Sequence, residues 1–223
     1  MTNELYHYGV RGMKWGVRRY QNPDGSLTAA GRKRLSKSIR DTYHKNSKGE
    51  SGNYGAAAKT INSDYQLKSR LQNATEVVNA RKKLKEANKA AEEYYYNKDV
   101  KKKYILKAAD KAAKENDGDK EFYRNWYLYD DGDQGENNSF QLYLKDKGIN
   151  AKDYAIKVSN ANQEYETACR KAVDNLLGEY GNTPLKATTS YSRNRTVKEV
   201  LANALDDITY DEMPQRYGYY MLD

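Results

Sequence analysis

Apolar residues in the body of this chain recur every three or four positions, and no run alternates with the two-residue period of a strand. Leu67, Leu71, Ala74, Val77, Ala80, Leu84, Ala87, Ala91 and Tyr94 form one such series. Tyr154, Val158, Ala161, Tyr165, Ala168, Ala172 and Leu176 form a second, near heptad spacing. Val197, Val200, Leu201, Ala204, Leu205 and Ile208 form a third, and Leu35, Ile39 and Tyr43 a short fourth. A residue every 100° places each series on one side of a helix. The pattern predicts an all-α fold, with long amphipathic helices in a bundle or an elongated helical arrangement.

The seams are rich in Ala and poor in Leu. They allow close helix–helix approach but contribute little burial per residue, so each helix needs a partner. Only 38% of the residues are hydrophobic and the mean hydropathy is −1.10. The 22 tyrosines, against two phenylalanines, make up part of that deficit, because a tyrosine buries its ring while keeping a polar tip. They read as half-buried rings on surface helices, with a broad partner interface as the alternative.

Punctuation residues divide the series. The spacing predicts one helix from about Ala56 to Asn97, a break at Asn97-Lys98-Asp99, and a further helix to about Asn116. Residues 117–137 place Phe122, Trp126 and Leu128 as an aromatic anchor between acidic loops. A short helix starts at Ser139-Phe140 and stops near Gly148, and Asn150 or Asp153 starts a long one that Gly178 or Gly181 ends. Residues 185–194 read as a polar connection, and the tail with three tyrosines is expected to dock. The domain organisation that follows is 1–45 for an N-terminal motif with a short helix, 46–55 for a linker and 56–223 for the helical body.

The N-terminal stretch has a different character. Gly9, Gly12 and Gly16 enclose Lys14 and Trp15, with His7 before them and Arg18, Arg19 and Tyr20 after. Asn22-Pro23-Asp24-Gly25 is a turn signal, and Thr28 is placed to cap the helix that follows. Glycine this dense around a tryptophan predicts backbone packed against an indole. Residues 6–35 resemble the HxGxxGxKWGVRRYQNxDGSLTxAGxxR segment of an uncharacterised family of phage and prophage proteins from Gram-positive bacteria. That family sits among head and minor structural proteins, so the resemblance implies a phage origin. Together the motif and the resemblance make His7, Gly9, Gly12, Lys14, Trp15, Gly16, Arg18, Arg19 and Tyr20 the candidate partner-binding residues.

Charge and chemistry narrow the function. Residues 1–115 hold 26 Lys and Arg against 12 Asp and Glu, a balance of +14; residues 116–223 hold 13 against 19, a balance of −6. Arg18, Arg19, Arg32, Lys33 and Arg34, interleaved with Trp15 and Tyr20, fit nucleic-acid contact or cation–π packing within the motif. Two histidines, His7 and His44, and the single Cys169 cannot furnish a zinc site, and no cofactor is expected. Asp130, Asp131, Asp133 and Glu136 miss the offsets of a calcium loop. Gly9-x-x-Gly12-x-x-x-Gly16 lacks the strand and the Lys-Ser/Thr ending of a phosphate loop. His7 beside aromatic residues reads as structural, so the chain reads as non-enzymatic. With no signal peptide pattern and no long apolar run, it is expected to be soluble, with no membrane partner, in the bacterial host cytoplasm or in the virion.

Three functions remain open at this point. One is a phage structural or virion-associated protein docking onto other phage structural proteins through its N-terminal motif. Another is a host-interaction factor, such as an inhibitor of a bacterial defence protein. The third is a nucleic-acid-binding accessory protein.

Overall fold

The computed structural model describes residues 19–46, 65–129, 133–186, 195–211 and Met213. Eight helices account for most of them: α1 (Ala29–Asn46), α2 (Tyr65–Gln72), α3 (Thr75–Tyr96), α4 (Lys98–Glu115), α5 (Lys120–Tyr129), α6 (Asp133–Asp146), α7 (Ala151–Leu177) and α8 (Val197–Asp211). A 3₁₀ turn follows α7 at Gly178–Asn182, and the two-residue strands β1 (Pro184–Leu185) and β2 (Arg195–Thr196) pair antiparallel. The fold is all-α. The described residues form two compact units: one holds those up to Leu71 with Arg170–Ala204, the other holds Gln72–Cys169 with those from Leu205 onward. The expected linker and residues 56–64 of the expected long helix lie outside the described residues, apart from Asn46 at the end of α1.

Side-chain caps start several of the helices. Asn97, in an extended conformation, ends α3 and begins α4, its Oδ1 accepting from the Asp99 and Val100 N–H groups at 3.2 Å each. Asp119 caps α5 by accepting from Glu121 and Phe122 N–H, and Asn150 caps α7 by accepting from Asp153 N–H at 3.1 Å. Thr196 and Glu199 form a reciprocal capping box on α8: the Thr196 N–H donates to Glu199 Oε2 at 2.7 Å and the Glu199 N–H to Thr196 Oγ1 at 3.4 Å. Gly148 (φ +71°) closes α6 and Gly178 (φ +54°) closes α7, conformations that a side chain would strain.

In the second unit, α3 packs against α4 and α6, and α4 packs against α5 and α6. The α3 seam of Val77, Ala80, Leu84, Ala87, Ala91 and Tyr94 is buried throughout, as are Ala108, Ala109 and Ala113 of α4. Tyr94, Tyr143, Tyr154 and Phe140 form a ring cluster with centroids 5.1–6.1 Å apart. The three tyrosine hydroxyls of this cluster each find a partner. Tyr94 shares a hydrogen with Ser139 at 2.5 Å, Tyr154 donates to Asn88 Oδ1 and accepts from Ala91 N–H, and Tyr143 donates to Glu93. Tyr165 shares a hydrogen with Thr209. These bonds let the rings replace missing aliphatic volume while their own hydroxyls stay hydrogen-bonded.

The α7 seam is buried from Tyr154 to Ala172, with Cys169 among it as a small apolar residue. It drifts round the helix, taking in Ala155 and Val173 and ending on Leu177 rather than Leu176, which is half-buried. That is the 3.6-residue drift of a straight helix, in place of a heptad seam. In the first unit, Ile39 and Tyr43 of α1 are buried, as are Val197, Val200, Leu201 and Ala204 of α8.

Three expectations change. The helix expected through Leu71, Ala74 and Val77 breaks at Asn73-Ala74, where Ala74 is extended (ψ 132°). The step from Leu71 to Ala74 keeps the apolar period across the break, so periodicity cannot register it. α6 begins at Asp133, before Ser139. Phe122 and Trp126 do not anchor residues 117–137 to the core: they are 63% and 43% exposed. α5 is held instead by Asp110 of α4, whose carboxylate takes both Nε and Nη2 of Arg124 (2.6 and 2.8 Å) and the Lys120 ammonium (3.0 Å). These bonds hold the Asp110 carboxyl below the usual carboxylate range.

Two predictions follow from this packing. Ala168→Asp places a charge at a position 7% exposed and should destabilise the protein by about 3 kcal/mol in urea unfolding followed by circular dichroism. A variant that stays folded and passes from oligomer to monomer would instead place this face against another chain.

Burial, and then the bond to Glu93, push the Tyr143 hydroxyl up from 10.0 to about 12. Burial also raises that of Tyr154. The folded chain keeps these protons where the unfolded chain loses them. Stability is therefore whole below pH 10 and declines as pH rises toward about 12. Tyr143→Phe should flatten the decline of the urea midpoint with pH over that window; an unchanged slope would remove Tyr143 from the linkage.

Candidate functional site

Of the residues singled out in the N-terminal motif, His7, Gly9, Gly12, Lys14, Trp15, Gly16 and Arg18 lie outside the described residues. Arg19 and Tyr20 are described, and they form the near end of a segment built onto α1. Gln21 bridges Leu27, and the turn between them closes by hydrogen bonds from Gly25 N–H to the Asn22 carbonyl (3.0 Å) and from Asn22 N–H to the Ser26 carbonyl (2.8 Å). Asp24 Oδ1 accepts from the Ser26 hydroxyl and N–H at 2.7 and 2.8 Å, and the hydroxyl bond chiefly lowers the Asp24 carboxyl below its ordinary value.

Thr28 joins this loop to the helix. Its Oγ1 accepts from Gly31 N–H at 3.1 Å as the N-cap of α1, and its hydroxyl donates to the Arg19 carbonyl at 2.8 Å. Its own N–H donates to the Tyr20 carbonyl at 3.2 Å. That carbonyl rests over Gly31: a Cβ there would stand 2.2 Å from the Tyr20 oxygen. The Tyr20 ring, half-buried, receives the Arg34 guanidinium 4.8 Å from its centroid and that of Arg19 at 5.5 Å. Gly31 is the seat of the Tyr20 carbonyl, a contact that periodicity missed. The signal was present, since a glycine in the first turn of a helix is costly unless something needs the space.

The described members of the expected basic cluster have different surroundings. Lys33 and Arg34 are exposed on α1, and Arg19 is exposed before it. Arg32 turns inward, its Nη1 close to Gly178 and its Nε buried with no hydrogen-bond partner. Arg19 and Arg34 meet on Tyr20, which is the cation–π arrangement named above. On the far side of α1, the Ser36 hydroxyl donates to the Tyr180 carbonyl at 2.7 Å and lies 2.9 Å from Thr183 Oγ1, fixing the helix to the turn after α7.

No group of His, Cys, Asp and Glu suited to a metal ion occurs among the described residues, and no helix there is long and apolar enough to cross a membrane. A polar groove of about 650 Å³ runs between α4, α5, α6 and the start of α7, lined by Lys111, Tyr127, Gln141 and Lys145 among others.

Residues 1–22 match a family of unknown function (DUF7211), so the chain is similar to that family over this segment. No curated protein and no solved structure matches the chain. The matched stretch runs into the turn seated on α1, and it includes Arg19 and Tyr20.

Gly31→Ala tests the seat. In an open helix this change stabilises by about 1 kcal/mol; here the added methyl must lift the Tyr20 carbonyl away. Trypsin should cut after Arg19 several-fold faster while far-ultraviolet helicity stays unchanged. Unaltered cleavage would mean that the loop is not held by this contact.

Proposed function

We propose that this chain is a non-enzymatic phage structural or virion-associated protein that docks onto another phage component through its N-terminal motif. The observation that carries the reading is the seat just described. The segment that matches a family leads straight into a turn locked onto a helix by the Thr28 bonds and the Gly31 contact. A recognition motif held at its base loses less freedom on binding than one on a slack tether. α1, bonded through Ser36 to the turn after α7, supports that base, and the phage assignment rests on the sequence resemblance of residues 6–35.

His7, Lys14, Trp15, Arg18, Arg19 and Tyr20 supply the contacts in this reading, with Trp15 as the central anchor. Arg19 keeps part of its guanidinium for a partner, since it is exposed while lying near Tyr20.

Mass spectrometry of purified particles tests the proposal. The protein should be present at a fixed ratio to the capsid protein, and Trp15→Ala should deplete it by about tenfold or more, as expected when an aromatic anchor is lost, with its helicity unchanged. Absence from particles, with recovery on a host protein from infected cells, would replace this reading with that of a host-directed factor.

A further inference from the structure

The outward face of α5 carries two exposed apolar rings. The chain has two phenylalanines and 22 tyrosines, so where a ring meets water it almost always carries a hydroxyl. Phe140 obeys that division and is wholly buried. Phe122 breaks it at 63% exposure, with Trp126 one helical turn later at 43%. The two rings lie 6.4 Å apart, and Glu121 and Asn125 are exposed beside them. Apolar rings grouped in this way mark contact sites far more often than isolated exposed residues do.

Charge identifies the occupant. Both cations of α5, Lys120 and Arg124, are bound to Asp110 on the side facing α4. The Phe122–Trp126 side of the helix therefore carries a carboxylate, Glu121, and an amide, Asn125, beside the two rings, while Lys120 and Arg124 reach toward Asp110. Asp117 and Asp119 add exposed carboxylates at the approach to the helix. Aromatic faces bordered by carboxylates suit Lys or Arg side chains, which bind the ring by cation–π attraction and the carboxylate by ion pairing. We propose that the Phe122–Trp126 face of α5 docks a basic amphipathic peptide segment of a partner protein, with its apolar residues on the rings and its cations on Glu121 and the neighbouring carboxylates.

The chain has two tryptophans, so full-length protein carrying Trp15→Phe leaves Trp126 as its sole tryptophan reporter. A Lys/Leu amphipathic peptide of about 15 residues, and a Glu/Leu counterpart of the same pattern, are the probes. The basic peptide should shift and quench Trp126 emission, and its affinity should fall by about tenfold between roughly 50 mM and 300 mM salt as the ion pairs are screened. Phe122→Ser and Glu121→Lys should each weaken it by about tenfold or more with helicity unchanged. Equal binding of the acidic peptide, or no response of Trp126 to the basic one, would overturn the proposal. So would self-association of the peptide-free protein that Phe122→Ser abolishes, because the face would then belong to a second copy.

Discussion

A helical core built on alanine cannot reach adequate burial with methyl groups, so in this chain tyrosine rings supply the volume. That choice imposes a condition on the rest of the interior. Every tyrosine that enters carries a hydroxyl, and an unsatisfied buried hydroxyl offsets much of what the ring contributes. The positions of Ser139, Asn88, Glu93 and Thr209 meet this condition, each opposite one tyrosine on a different helix. Such bonds are directional, and so they fix helix register in a way that smooth alanine seams do not. Asn88 and Ser139 are wholly buried polar residues for this reason.

Much of this architecture was legible in the sequence. The seams on α3, α7 and α8 follow from spacing alone, and Thr28, Asn97, Gly148 and Asn150 act at the ends where their chemistry places them. What escaped was decided by contacts between residues distant in sequence. Phe122 and Trp126 read as an anchor because rings usually face inward. The orientation of α5 is set by Asp110 gripping Arg124, a pairing across two helices that no local pattern reports. The break before Thr75 escaped because the apolar step is the same on either side of it. Expectations resting on local chemistry therefore held better than those about which face a ring would choose.

The candidate site divides along the same line. The turn and the cap at Thr28 were readable from residue type. The role of Gly31 was not, since it depends on where the Tyr20 carbonyl comes to rest. The basic residues looked alike in sequence but have separate environments: Arg34 lies on a ring, Arg32 is directed at Gly178, and Lys33 faces solvent. Among the described residues of this cluster, Arg19 and Arg34 thus stack on one ring, Arg32 packs toward Gly178 and Lys33 is exposed.

Asn97 alone connects the 22-residue α3 to the 18-residue α4. Because one residue serves as the end of one helix and the start of the next, the corner holds no spare chain. Adding a single residue at the start of α4 would rotate everything beyond it by about 100° relative to α3, carrying Tyr104, Ala108 and Ala113 off the side on which they are buried. Length variation in related chains should therefore gather elsewhere, and this corner should keep its residue count even where its residue types change.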